Sequence, residues 1–242
     1  MKDEERPLGE HLEELRKRII NSLAVIVLFG GIAYFFRFRL LKFLIRASGD
    51  QNLIYLHPTE AFLTYLKLAV ITGLILATPW ILYQAWRFIL PALMENEEAP
   101  FRVSFVLGGA LFYLGVGVAL GLALPFTVRL LSSVGGANVV STFSIRNYVT
   151  FTSLLSFALG IAFELPLLMV LIVRIGLVKP STLRRNRKYA IVISFIVAAF
   201  ITPTDLFSQA FMAIPLIILY EISLLAVSTF FKETSSKEQS PS

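Results

Sequence analysis

The stretch SFALGIAFELPLLMVLIV, residues 156–173, holds apolar, small or proline residues at every position except Glu164. Extended back to Phe151, the run is long enough for a helix to cross about 30 Å of hydrocarbon, which takes roughly 20 apolar residues. The rest of the 242-residue chain has the same character. It is 56% hydrophobic and 16% charged, with a mean hydropathy of +0.75, a composition foreign to soluble domains. An all-α integral membrane protein is therefore expected.

Windows of about 20 residues place further spans near Ile19–Phe36, Leu66–Phe88 and Val103–Leu124. Two shorter ones, Tyr189–Ile201 and Phe207–Phe231, are separated by TPTD (Thr202–Asp205), and Pro215 interrupts the second. They read as a short fifth and sixth helix forming a hairpin. Six acidic residues precede the first span and no small-residue cleavage pattern follows it, so it reads as a retained helix and not a signal peptide. The domain expectation is one six-span membrane domain over residues 1–231, with a short polar tail over 232–242.

Six spans divide the lysines and arginines unevenly. Fifteen flank the N-terminal side and six (Arg37, Arg39, Lys42, Arg46, Arg129, Arg146) the other, so the positive-inside rule puts both termini in the cytoplasm. Four of the six crowd the first external loop, an imperfect fit relieved if they snorkel to lipid phosphates. The basic balance, with a pI near 9.7, is where topology and anionic lipid call for it, and nucleic acid is not an expected partner.

The catalytic inventory is thin. His11 and His57 are the only histidines and there is no cysteine, so metal clusters, thiol chemistry and disulfides are not expected. No serine has a histidine at matching depth, and no nucleotide motif follows a strand. The chain is read as a non-enzyme without cofactor or metal.

Charged residues at particular depths carry the information instead. In PLGEHLEELRKRI (Pro7–Ile19), Leu8, Leu12, Leu15 and Ile19 recur at helical spacing, and Glu13/Lys17 and Glu14/Arg18 stand four apart with the acid first. The segment over 7–18 reads as an amphipathic helix at the cytoplasmic surface, an anchor with internally paired charges or a recognition surface. PALMENEEAP (Pro91–Pro100) sets Glu95, Glu97 and Glu98 on a membrane side otherwise positive. It is either a solvated loop or a receptor for a basic peptide, because guanidinium and carboxylate form paired parallel hydrogen bonds that lysine cannot reproduce.

Glu164 is the third feature. An ionised acid at mid-bilayer costs on the order of 3 kcal/mol, so it should face protein or water. Desolvation favours a neutral, hydrogen-bonded carboxyl there. Pro166, two residues on, removes a backbone donor and leaves the Ala162 carbonyl without its usual partner. The alternatives are a structural hydrogen bond between helices or a functional polar spot. Glu221 is a lesser case, within reach of the headgroups. Gly117 and Gly121 form a small-xxx-small step expected to pack helices in the third span.

HLEELRKRI (His11–Ile19), TPWILYQAWRFILPAL (Thr78–Leu93), FELPL (Phe163–Leu167), RKYA (Arg187–Ala190) and TPTDLFSQ (Thr202–Gln209) occur in one order along six spans. Together they resemble the TatC family, the multi-span receptor subunit of the twin-arginine protein translocase, from about Leu8 to Phe231. The resemblance implies binding of signal peptides with two consecutive arginines on folded cargo. It also implies assembly with single-span TatA/TatB-type partners in a bacterial or archaeal cytoplasmic membrane, driven by the proton-motive force. Glu14 and Glu97, with Arg16 and Phe88, match the signal-peptide-binding positions; Glu164 matches the intramembrane acid. Thr202, Asp205 and Gln209 match partner-docking positions at the hairpin tip. Two departures are visible: Glu95 and Glu98 flank Glu97 where the family often has basic residues, and Thr204 replaces one of two consecutive prolines. The rival reading is a proton-coupled small-solute transporter using Glu164, against which stand a single intramembrane acid and no visible inverted repeat.

Overall fold

The computed structural model describes residues 8–49, 53–89, 98–134, 143–201 and 206–237. Helix α1 (Leu8–Phe35) is followed by α2 (Arg37–Ala47), α3 (Pro58–Ile89) and α4 (Glu98–Val118), which passes through the π-helical turn Ala119–Ala123 into α5 (Leu124–Val134). Then come α6 (Ile145–Phe163), α7 (Leu165–Arg174), the short α8 (Pro180–Arg185), α9 (Arg187–Ile201) and α10 (Leu206–Lys237). Two-residue strands, β1 (Leu53–Ile54) and β2 (Phe143–Ser144), pair in parallel.

Among the described residues, five stretches are long and apolar enough to cross a membrane: Leu12–Phe35, Pro58–Phe88, Phe105–Leu130, Ile145–Arg174 and Met212–Thr229. The apolar α9 is the sixth helix of the expected set; its 15 residues reach about 22 Å at 1.5 Å each, short of a 30 Å core. The shortness belongs to α9 and not to its partner: α10 runs unbroken through Pro215 for 32 residues. An ion pair between Arg187 Nη2 and Glu221 Oε2 (3.2 Å) nevertheless sets the start of α9 beside the middle of α10. Glu221 is thus held by protein.

The amphipathic segment is not a separate surface helix. No proline or glycine interrupts Glu10–Phe29, and α1 continues from the charged turns straight into the span. In the loop after α1, the basic residues form an unforeseen helix. Leu41 and Leu44 of α2 are buried, while the Arg37 guanidinium lies 4.5 Å from the ring centres of both Tyr34 and Phe38, and Arg39 stacks on Phe36. Aromatic faces hold these cations.

Prolines set the shape of the spans. Pro79 cannot serve the carbonyl of Ile75, and the Tyr113 hydroxyl of α4 donates to it and to the Leu76 carbonyl (3.5 Å each). Ahead of Pro125 the chain widens into the π turn, with a backbone N–H reaching the Ala119 carbonyl. At Glu164 the fourth span breaks into α6 and α7. The Ala162 carbonyl, which Pro166 cannot serve, accepts a backbone N–H at this cap, so it is not left open as the sequence implied.

The glycine expectation needs correction. A Cβ at Gly117 or Gly121 meets nothing within 4 Å, so this step packs no helix here. The close approaches lie elsewhere. A Cβ on Gly73 of α3 would stand 2.5 Å from the Gly30 backbone nitrogen of α1, and one on Gly115 would stand 2.6 Å from the Leu159 carbonyl oxygen. Gly160 seats the ring of Phe112.

On the side opposite the N-terminus, Glu60 in the first turn of α3 is 3% exposed. It accepts from the Leu56 N–H (2.8 Å) and the Ser144 hydroxyl, with Arg146 Nε at 3.7 Å. The carboxylate so clamps the two strands, and the Tyr148 hydroxyl adds a second tie to the Leu44 carbonyl (2.6 Å).

Two outcomes follow for thermal unfolding of the purified protein in detergent. Gly73→Ala should cost about 1–3 kcal/mol through overpacking of α1 on α3, whereas Gly117→Ala should be neutral or gain up to about 1 kcal/mol of helix propensity. In limited proteolysis, Glu60→Ala should expose the loop between α2 and α3 to cleavage that the native chain resists. Equal resistance would remove the clamp.

Candidate functional site

The N-terminal turns of α1 pack beside the C-terminal turns of α3. On α1, Glu14 and Arg18 are one helical turn apart and form an ion pair, as their spacing predicts. Arg18 is only 13% exposed, so its remaining donors must find partners within the fold. Its Nη1 donates to the Gln84 carbonyl (3.2 Å) and lies 3.5 Å from the Gln84 side-chain oxygen, and its Cζ sits 6.0 Å from the centre of the Phe88 ring. Its Nε is buried without a hydrogen-bond partner among the described residues. Arg18 thereby joins Glu14 to Phe88 across 74 positions of sequence.

Below this cluster, Leu15, Ile19, Leu23 and Ile26 of α1 face Ile81, Ala85 and Phe88 of α3 around an open apolar groove of about 360 Å³. The arrangement places a partly exposed carboxylate and a guanidinium at the mouth of an apolar trough, so it can accept a segment that is cationic at one end and apolar beyond it. Glu13 and Lys17 make the other expected pair (3.1 Å), well exposed. Arg16 is exposed, two residues from both Glu14 and Arg18 and off the face that lines the groove.

Glu164 lies on a different face of the bundle. It is 5% exposed and its carboxyl covers Gly108 of α4, where an added Cβ would come within 3.2 Å of Oε2. Its Oε1 is buried with no hydrogen-bond partner among the described residues. The acid is thus enclosed by protein and not presented to lipid, as its depth requires. Gln209 donates from Nε2 to the Phe195 carbonyl (3.0 Å), which ties α10 to α9 within the hairpin. Glu95, Glu97, Thr202 and Asp205 lie outside the described residues, and Glu98 opens α4.

The structure therefore brings Glu14 and Phe88 together and keeps Glu164 apart from them. Sequence reasoning missed the roles of Arg18 and Gln84. A glutamine inside an otherwise apolar span, four residues before Phe88, was the available signal.

The family model described as Sec-independent protein translocase protein (TatC) matches residues 10–215. The Sec-independent protein translocase protein TatC of Desulforapulum autotrophicum is 38% identical over 244 residues, covering 98% of this chain and 90% of that protein. The TatC of Aquifex aeolicus is 40% identical over 225 residues, covering 90% and 93%. A crystal structure of the twin arginine translocase receptor TatC superposes with a TM-score of 0.83 at 36% identity, over 90% of this chain and 98% of that one. A second, of the receptor in DDM, gives 0.81 at 39%, over 89% and 98%.

One consequence concerns the enclosed acid. Glu164→Gln keeps the shape and the hydrogen-bonding capacity of a neutral carboxyl, so its thermal stability should lie within about 1 kcal/mol of the native protein. Gly108→Val, which drives two methyl groups toward the same carboxyl, should lower it by about 1–3 kcal/mol. Gross instability of Glu164→Gln would argue for an ionised, salt-bridged acid.

Proposed function

Because the chain belongs to the TatC family, we propose that it is the receptor component of a twin-arginine protein translocase, and that Glu14 and Glu97 bind the arginine pair of a signal peptide. The observation that carries the reading is the likeness over nearly the whole chain to TatC receptors of known structure. At residue level, the support is Glu14 at the mouth of an apolar groove between α1 and α3.

A carboxylate offers about four lone-pair sites, so Glu14 can share its charge between Arg18 and an incoming guanidinium, or exchange one for the other. Arg18, held by Gln84 and set over Phe88, keeps the acid at a fixed place while it is unoccupied. Glu97, which follows α3 in sequence, is the second carboxylate of this reading. The apolar wall from Leu15 to Ile26, about 16 Å long, then lies in line for the residues that follow the arginines. Arg16 and Phe88 belong to this surface, Phe88 through its ring beside Arg18 and Arg16 from the neighbouring exposed face of α1.

Glu164, enclosed against Gly108 at the break between α6 and α7, serves a polar intramembrane step after recognition. Thr202 and Asp205, between α9 and α10 in sequence, and Gln209 of α10 dock TatA/TatB-type single-span partners. The outer face of α9, where Val192, Ile196 and Phe200 are all exposed, offers such a helix an apolar neighbour. The membrane is the cytoplasmic membrane of a prokaryote, with both termini inside, and residues 1–231 act as one domain. No catalytic step is assigned, and the solute-transporter alternative finds no support among these relatives.

Binding of a twin-arginine signal peptide to the purified protein tests the reading. Glu14→Gln and Glu97→Gln should each weaken it roughly tenfold, the loss of one charge-assisted bidentate contact. A two-lysine peptide should bind similarly weakly to the native chain. Equal affinity for both peptides would overturn the bidentate argument, and an unaffected variant would remove that residue.

A further inference from the structure

The corner between α8 and α9 carries the run RRNRK, Arg184–Lys188, which lies outside the groove between α1 and α3. Two consecutive residues of α10 fix this corner. The Tyr220 hydroxyl donates to the Leu183 carbonyl (2.8 Å), which sets Arg184 beside α10, and Glu221 takes Nη2 of Arg187. Between them lies a recess of about 260 Å³ lined by Arg184, Arg187, Leu224, Leu225 and Ser228. With a water's share of liquid near 30 Å³, it has room for a phosphate and its glycerol linkers.

The lining has a definite chemistry. Two arginines against the Glu221 carboxylate leave a net charge of +1 (two minus one), and Arg184 makes no ion pair among the described residues. Arg187 spends one of its five N–H donors on Glu221 and keeps the rest of its fork. Ser228 already donates its hydroxyl hydrogen to the Leu225 carbonyl (2.8 Å), so it meets a ligand only as an acceptor. That suits a headgroup hydroxyl and not a phosphate oxygen. Leu225, 65% exposed, continues the recess as an apolar wall along the outer surface of α10.

Depth supplies the second argument. The ion pair to the middle of α10 starts α9 within the plane of the longer helices, and α9 is about 8 Å too short for an average core. Headgroups are drawn inward around such a helix, on the side toward which lysine and arginine are biased.

We propose that this recess is a binding site for an anionic phospholipid of the phosphatidylglycerol type. The Arg184 and Arg187 guanidiniums hold its phosphodiester, Ser228 accepts from a headgroup hydroxyl, and Leu224 and Leu225 line the start of an acyl chain. The site is independent of the twin-arginine reading, which concerns α1 and α3.

Native mass spectrometry of the full, delipidated chain in detergent tests it, by titration with phosphatidylglycerol or phosphatidylcholine and by competition with inorganic phosphate. One saturable phosphatidylglycerol site is expected. Arg184→Gln, which leaves the Arg187–Glu221 pair in place, should weaken it about fivefold, the worth of one arginine near an anionic surface. Arg185→Gln, outside the recess, should leave it unchanged, and Arg184→Lys should fall between if the planar fork matters. Equal binding by Arg184→Gln and Arg185→Gln, equally tight phosphatidylcholine, or displacement of the lipid by millimolar phosphate would each overturn the proposal. Should Arg184→Gln not fold, Arg184→Lys together with Ser228→Ala gives the same comparison, with native-like binding in both counting against the site.

Discussion

In hydrocarbon there is no water to bond a stray backbone group, so every N–H and C=O must be satisfied inside the protein. The rest of this fold depends on that constraint. Each proline in a span removes a donor, and three of them are answered by a specific device: the Tyr113 hydroxyl at the carbonyl freed by Pro79, the π turn ahead of Pro125, and the break at Glu164 ahead of Pro166. Five hydroxyls follow the same rule. Thr78, Thr127, Ser156, Ser194 and Ser223 each donate to the carbonyl four residues back, so a seam of polar side chains costs the membrane nothing exposed.

The same constraint explains where polarity survives. Glu164 persists because Gly108 has no side chain and lets the carboxyl pack against α4 out of lipid. Arg18 persists because Glu14, the Gln84 carbonyl and the Phe88 ring surround it. Arg187 persists because Glu221 meets it from α10. Each of these three side chains is met from a second helix.

Much of this was legible in the chain. Apolar run length located the spans, and the four-residue spacing of Glu14 and Arg18 foretold their ion pair. The depth of Glu164 foretold that protein would enclose it. What was not legible required knowing which faces meet. Gly117 and Gly121 carry the packing pattern yet face open space, while Gly30 and Gly73, 43 positions apart, make the contact. Gln84 and Phe88 join Arg18 only because α3 returns alongside α1. The basic loop after α1 reads as a topological misfit until α2 lays its arginines on aromatic rings.

By itself the sequence determined the solvent of this protein and the approximate position of its apolar helices, because those follow from residue-by-residue transfer into hydrocarbon. The tertiary structure alone decided which glycines let helices touch, that Gln84 and Phe88 meet Arg18, and that α10 passes Pro215 unbroken. Such choices rest on contacts between segments remote in sequence, and a bilayer that favours apolar residues equally on every outward face leaves no periodic record of them.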